Sequence, residues 1–358
     1  MKKSLISIAI LGALSNVAFA QSNVVIYGTV DAGIVSERGG AAGTVTKVTS
    51  GAASASRIGF KGTEDLGGGL SAIFVAETGF RVDTGALDNT NNQLFNRQSF
   101  VGLSSKEAGT LTLGRQYTPY YETLRDVADP FAAGYAGTAK NLFPVVGDQT
   151  RTSNSVVYQT PEFSGFKGEV SYTLGEQAGN ATTGREYGAF VNYSNGPLNA
   201  RFAYNARNND TATVTTNGMG HNALLAVNYD FAVAKAYFAY GKDKGLNSAA
   251  LPNNTAFTTA PVAASTDSSD ILVGATVPVT GTQGTVMASF IRKNDKEFAN
   301  RDADQWAIGY SYALSKRTST YVAYAKIKNK NGASYTVGNN TETGSGDKAF
   351  NLGLKHTF

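Results

Sequence analysis

The chain closes on Ala349-Phe350-Asn351-Leu352-Gly353-Leu354-Lys355-His356-Thr357-Phe358, a two-residue alternation that stops on an aromatic carboxyl terminus. Phe350, Leu352, Leu354, His356 and Phe358 share one face, and Ala349, Asn351, Gly353, Lys355 and Thr357 share the other. A bare terminal strand exposes unpaired backbone groups and invites aggregation in water. With a greasy outer face and a small or charged inner face, the same strand suits a closed barrel in lipid, where every backbone group must be paired internally. This segment predicts an all-β, transmembrane β-barrel.

The amino-terminal end fits an exported chain. Lys2 and Lys3 precede a mostly apolar run from Leu5 to Leu14, and Ala18-Phe19-Ala20 matches a small-x-small cleavage pattern. Residues 1–20 are therefore expected to be a signal peptide and residues 21–358 the barrel. Without Lys2 and Lys3, the 31 basic side chains fall to 29 against 27 acidic ones, too even a balance for a nucleic-acid footprint. The absence of Cys excludes disulfides, thiol catalysis and thiolate metal sites. With 40 Gly, 37 Phe and Tyr and only 8 Pro, many strands joined by turns are easily built. After the signal segment no apolar run approaches the ~20 residues of a spanning helix.

Sixteen antiparallel strands can be read along residues 23–358. Short turns (65–69, 105–109, 161–165, 195–197, 230–231, 280–283, 314–316) alternate with longer loops (38–51, 83–93, 118–150, 175–185, 208–217, 242–267, 293–301, 329–346). That alternation fits an even-stranded barrel with both termini on the turn side. Sixteen strands enclose an aqueous lumen, whereas about eight would be filled by side chains. Parity sets the expected faces. Trp306, Ile308, Tyr310 and Tyr312 should face lipid on one strand, and Tyr321, Ala323, Ala325 and Ile327 on the next. Lys326 and Lys328 would then face inward with Asn351 and Lys355. Arg57 alternates with Ile58 and Phe60, so it should face the lumen with Lys61.

Three separated segments, Gly62-Thr63-Glu64-Asp65-Leu66-Gly67-Gly68-Gly69-Leu70, Leu314-Ser315-Lys316-Arg317-Thr318 and the terminal Leu354-Lys355-His356-Thr357-Phe358, resemble the general diffusion porins of Gram-negative bacteria. They are most similar to those of Burkholderia, Comamonas and Neisseria relatives. The resemblance implies a sixteen-stranded, trimeric barrel of the outer membrane whose third loop folds inward as a constriction. It also implies a ladder of pore arginines at Arg57, Arg97 and Arg151. Arg115 matches a wall arginine found more widely in such proteins. Its parity groups it with Leu111 and Leu113, so it reaches the lumen only if a bulge intervenes.

The third loop, residues 118–150, holds Tyr120, Tyr121, Leu124, Phe131, Tyr135, Leu142 and Phe143, more apolar anchors than a disordered segment carries. Its acids Glu122, Asp126, Asp129 and Asp148 are expected to face the pore opposite the arginines, with Arg125 and Lys140 as alternative ion-pair partners. Rings of fixed charge would bias which ion enters. The expected function is a passive channel for ions and small hydrophilic solutes, with mild anion preference and no cofactor. Outer-membrane lipid is an expected partner, and exposed basic residues are candidate contacts for lipopolysaccharide. A substrate-specific channel or an adhesin is the alternative, because the loops at 242–267 and 329–346 are long. An enzyme is disfavoured, since His221 and His356 are the only histidines and neither lies beside a Ser/Asp pair.

Overall fold

The computed structural model describes residues 23–89, 92–145, 150–246, 256–257 and 265–358. The expected signal segment, Asp148 and most of loop 242–267 lie outside the described residues. The strands run β1 (Asn23–Gly40), β2 (Gly43–Ser50), β3 (Arg57–Gly67), β4 (Leu70–Gly79), β5 (Gln98–Ser105) and β6 (Gly109–Tyr117). After the third loop come β7 (Arg151–Gln159), β8 (Phe166–Thr173), β9 (Glu186–Asn195), β10 (Leu198–Asn208), β11 (Met219–Asp230) and β12 (Lys235–Lys244). The last five are β13 (Asp267–Pro278), β14 (Gly284–Asp295), β15 (Ala303–Ala313), β16 (Thr318–Asn329) and β17 (Lys348–Thr357).

These seventeen segments make sixteen wall positions. The loop-side half of β1 pairs with β2, and its turn-side half pairs with β3. β2 and β3 are thus one wall strand interrupted at residues 51–56. The stretch expected to be loop 38–51 is mostly strand, and the expected strand 52–65 begins only at Arg57. Gly51 starts the interruption at φ 70°, a left-handed conformation that glycine adopts without strain. The break is then stapled from β1. The Asp31 carboxylate accepts the N–H groups of Ala53 (3.4 Å) and Ser54 (3.2 Å), and the Tyr321 hydroxyl donates to it at 2.7 Å.

Every neighbouring pair in the barrel is antiparallel, and the sheet closes where β1 meets β17 from Thr29↔Thr357 to Arg38↔Lys348. Gly28 and Phe358 add a reciprocal pair of backbone hydrogen bonds at 3.1 Å each. The carboxyl-terminal strand therefore removes the last open edge, and its face is as the alternation predicts. Leu352, Leu354 and Phe358 are exposed, while Asn351 is fully buried.

On β16 the predicted faces are reversed. Tyr321, Ala323, Ala325 and Ile327 are buried toward the lumen, whereas Lys326 and Lys328 share the outward face with Tyr324. The register requires this, since Ala307 and Gln305, which are buried, oppose Ala325 and Ile327, while outward Trp306 opposes Lys326. The inner face is apolar because it does not meet water: the third loop packs on it.

That loop forms a short helix, α1 (Pro119–Thr123), followed by a wide π-type turn (Leu124–Ala128) and a tight 3-10 turn (Ala139–Asn141). Pro119 fits the first turn because the amide it lacks would have no partner there, and Thr118 caps it by accepting from the Tyr121 N–H at 3.1 Å. Tyr120, Leu124, Phe131, Leu142 and Phe143 are each at most 1 % exposed, which places them in a dry interface with inward Ala226, Leu272, Ala307 and Ala325. Alanines on the inner wall leave the room these large side chains fill. Gly134 and Gly137 mark the closest approaches. A Cβ on Gly134 would overlap the Ala53 carbonyl oxygen, and one on Gly137 would lie 2.7 Å from the Phe131 ring.

The last loop, between β16 and β17, also folds onto this assembly. Tyr335 and Val337 are buried in the same cluster. Asn340 clasps three elements: its Oδ1 accepts from the Ala55 N–H (3.0 Å), its Nδ2 donates to the Ala133 carbonyl (2.8 Å), and its own carbonyl accepts from Lys140 Nζ (2.6 Å).

Candidate functional site: a cationic constriction

The third loop, the last loop and the break between β2 and β3 narrow the lumen beside a cavity of about 480 Å³. Its charged lining is Arg81, Arg97, Arg115, Lys140 and Arg151 against Asp88 and Glu342, a formal excess of three positive charges. The five cations come from the β4–β5 connection, β6, the third loop and the start of β7, so no single sequence motif gathers them.

Arg97 is the most firmly held. Its Nε donates to Glu77 Oε1 at 2.7 Å and an NH2 hydrogen bond reaches the Tyr117 hydroxyl at 2.7 Å. Arg57 lies on the other side of Glu77, 3.5 Å from Oε2, and donates to the Ser54 hydroxyl (3.2 Å) and the Ala55 carbonyl (2.9 Å). One buried carboxylate thus serves two guanidiniums, and Arg57 acts more as a brace for the 51–56 break than as lining of the cavity. Arg151 has its guanidinium 4.9 Å from the Tyr117 ring centroid, and no described carboxylate lies within ion-pair distance of it.

Arg115 reaches the cavity by the bulge its sequence position requires. The β6–β7 register slips between Gly114 and Gln116, and Gly114 sits at φ 139° with no room for a Cβ beside the Ser99 carbonyl. The extra residue turns Arg115 away from the side of Leu111 and Leu113. It donates from Nε to the Asn96 carbonyl at 2.8 Å and from NH1 to the Ser153 hydroxyl at 2.9 Å.

The acidic half of the expected constriction is arranged differently. Asp129 is buried and faces its own loop, accepting the N–H groups of Phe131 (2.9 Å), Ala133 (3.0 Å) and Ala139 (2.8 Å). Burial pushes its carboxyl up to about 6, against the pull of those three donors. Asp126 is exposed but held in a bidentate pair by Arg125, at 2.6 and 2.9 Å. Arg125 in turn lies over the Tyr117 and Tyr121 rings, at 4.9 and 5.4 Å. Glu122 sits toward β8 and β10, where Lys167, Arg201 and Glu169 are, and burial raises its carboxyl. None of Glu122, Asp126 and Asp129 lines the cationic cavity. Its acids come instead from Asp88 and from Glu342 of the last loop, and each is already engaged. Arg81 lies 3.4 Å from both, and Lys47 lies 2.7 Å from Glu342.

Two cations escaped the sequence reading. Arg81 follows the end of β4, where nothing in the alternation points inward. Lys140 was expected to pair with a loop acid but donates to the Asn340 carbonyl; burial, then Arg151 and Arg97, push its ammonium down to about 7. Neither histidine has a catalytic setting. His221 Nδ1 is 2.6 Å from the Tyr204 hydroxyl, and His356 Nδ1 is 2.9 Å from the Thr318 hydroxyl.

Residues 7–332 match the family model for Gram-negative porins. The chain belongs to that family. It is 32 % identical over 375 residues to outer membrane porin protein 32 of Delftia acidovorans, spanning the whole of both chains. It is 31 % identical over 380 residues to an outer membrane porin protein of Bordetella pertussis, covering 91 % of this chain and 94 % of that one. Among solved structures, an anion-selective porin from Comamonas acidovorans superposes with a TM-score of 0.75 at 28 % identity, over 94 % of this porin and all of the other. OmpT of Vibrio cholerae, in its trimer form, shares the fold at a TM-score of 0.64 and 15 % identity, over 94 % of this porin and 99 % of the other. This porin is a closed sixteen-stranded barrel of the outer membrane, and both family and fold are those of channels rather than enzymes.

Proposed function

We propose that this porin is a passive channel for ions and small hydrophilic solutes that prefers anions, and that it assembles as a homotrimer. The carrying observation is the charge of the constriction, with four guanidiniums, joined by Lys140 when it is protonated, against two acids that are both already paired. Guanidiniums remain charged at any working pH, so Arg81, Arg97, Arg115 and Arg151 cannot be switched off by their partial burial. Low-dielectric walls and a narrow water column weaken screening, so the excess positive charge raises the local concentration of anions.

The likeness to the Comamonas porin, described as anion-selective, supports the preference, and the trimer form of the Vibrio OmpT structure supports the assembly. The last loop packs inside the barrel, which weakens the adhesin alternative that its length suggested. Single-channel recording in a planar bilayer tests the reading. Openings that come in threes and are not blocked by millimolar sugars or organic acids are expected of a general pore. Block by one solute class would instead indicate a substrate-specific channel, and closed protein would remove the channel reading.

A further inference from the structure

Conduction uses Lys140 as a charge, but its nitrogen has a second property. Among the described residues that line the cationic cavity it is the only primary amine. The other four cations are guanidiniums, which stay charged at any working pH and offer no lone pair. The third loop presents this amine on a fixed frame. Lys140 lies in the 3-10 turn Ala139–Asn141, which Thr138 caps by accepting from the Lys140 N–H at 3.2 Å. The next side chain, Asn141, donates to the Ala136 carbonyl at 3.0 Å and to Gln305 of the barrel wall at 2.8 Å. Lys140 Nζ itself donates to the Asn340 carbonyl at 2.6 Å. The side chain is half-buried between the third and last loops, and it lines the cavity.

The groups around Lys140 free its lone pair. Arg151, from the start of β7, and Arg97, from the β4–β5 connection, repel a proton on it. Asp88 of the same connection and Asp129 of the third loop pull the other way. With desolvation added, the balance brings the ammonium down to about 7, so at pH 7.5 much of it is the free amine. Desolvation beside other cations is the condition under which lysines become Schiff-base nucleophiles. Lys47 gives the contrast within the same lumen. It is paired with Glu37 at 3.1 Å and with Glu342 at 2.7 Å, and an ammonium held in ion pairs has no lone pair to offer.

We propose that Lys140 is a covalent capture site for small anionic aldehydes, molecules that carry a carbonyl together with a phosphate or carboxylate. This rests on the reading of the constriction as a place where anions gather. Arg97, Arg115 and Arg151 hold the anionic group, as guanidiniums hold phosphate and carboxylate oxygens. Lys140 Nζ then adds to the carbonyl carbon. A C=N bond forms, the C=O bond breaks, and the carbonyl oxygen leaves as water with both amine protons. The step needs no oxidant or reductant, and water reverses it. A cavity of about 480 Å³ has the size of a small-molecule site, which is typically ~300–1,000 Å³. The adduct would fill the constriction and set its negative charge against the arginines, so conductance would fall until the imine is hydrolysed.

The test treats the folded, purified full-length porin with pyridoxal 5′-phosphate, with phosphate-free pyridoxal as the control. Borohydride fixes any imine, and peptide mass spectrometry reads the labelled lysines. Charge focusing raises local anion concentration by about tenfold or more, so Lys140 should label about tenfold faster with the phosphorylated probe than with pyridoxal. It should also label faster than Lys47 and than exposed Lys106 and Lys316. An ordinary lysine, with its pKa near ~10.4, gains free amine about tenfold per pH unit up to pH ~10, whereas the Lys140 rate should level off above pH ~8. Labelling of Lys140 no faster than of Lys106, equal rates with both probes, or a rate that climbs to pH ~10 would overturn the proposal. In single-channel recording, probe followed by borohydride should lower the wild-type conductance and leave that of Lys140→Met where it stood before treatment; an equal fall in both would also overturn it. If that variant does not fold, the wild-type labelling map decides alone. The reversal potential of the same preparation separates the two readings. An unlabelled Lys140 in a chloride-preferring channel overturns the capture site only, and in a potassium-preferring channel the anion-gathering constriction falls with it.

Discussion

Lys140 shows how a single side chain couples loop packing to conduction. Its ammonium is desolvated by the third loop, repelled by Arg151 and Arg97, and anchored by one hydrogen bond to the last loop. A lysine lowered to about 7 is neutral above that pH and gains its charge as pH falls through it. The constriction therefore becomes more positive on the acid side, and the chloride-to-potassium permeability ratio should rise between pH 8 and pH 6. A rise of about twofold needs only ~0.4 kcal/mol of added attraction, against roughly 4 kcal/mol for a unit charge ~4 Å away at intermediate dielectric. Reversal potentials recorded at the two pH values check this, and Lys140→Met should flatten the dependence. The same rise in Lys140→Met would assign the titration to another group. At this scale the sequence was only partly legible. Arg57 and Arg97 could be placed on the wall, but Asp129 was misread because an acid in a loop points where the backbone N–H groups are. The Asp129-Pro130 dipeptide, a turn initiator, was the available signal.

The elements were easier to read where one face meets lipid and the other meets water. Along β17 the two faces differ cleanly, with Phe350, Leu352 and Leu354 outward and Asn351 and Lys355 inward. On β16 they do not, because the inner face is covered by the third loop and is as apolar as the outer one. Two apolar faces leave parity without a sign, and lysines near the strand end lie at the interface, where outward charge costs little. The interruption of β2–β3 was hidden for a related reason. Residues 51–56 are small, and their conformation is set by the distant Asp31 and Tyr321. At the element scale Asn340 is one of several residues that hold the last loop in the lumen, beside Gly338, Thr341, Glu342 and Ser345. Asn340→Ala would break the two side-chain bonds to Ala55 and Ala133, at a local cost of about 2 kcal/mol. Single-channel traces of this variant should show larger and noisier conductance than the wild type. Unchanged traces would mean that the remaining contacts of Tyr335 and Val337 suffice.

The whole molecule depends on closure. A barrel has no edges only if its last strand finds its first, and here the terminal Phe358 completes that seam with two backbone bonds to Gly28 and a ring packed where a Gly28 Cβ would lie. Deleting Phe358 should lower the yield of barrel that resists unfolding in detergent at room temperature, read as band shift on heating, while the protein that does fold conducts normally. Closure also gathers Arg81, Arg97, Arg115 and Arg151 from separate elements around a single cavity. The resulting cationic constriction is the centre of this account. Its most direct test is the reversal potential of the wild-type channel in a planar bilayer across a tenfold potassium chloride gradient at pH 7.5. A potential of the sign set by chloride, reduced toward zero in Arg97→Gln and Arg151→Gln, is the predicted result. A potential of the sign set by potassium, or one indifferent to both substitutions, would contradict it.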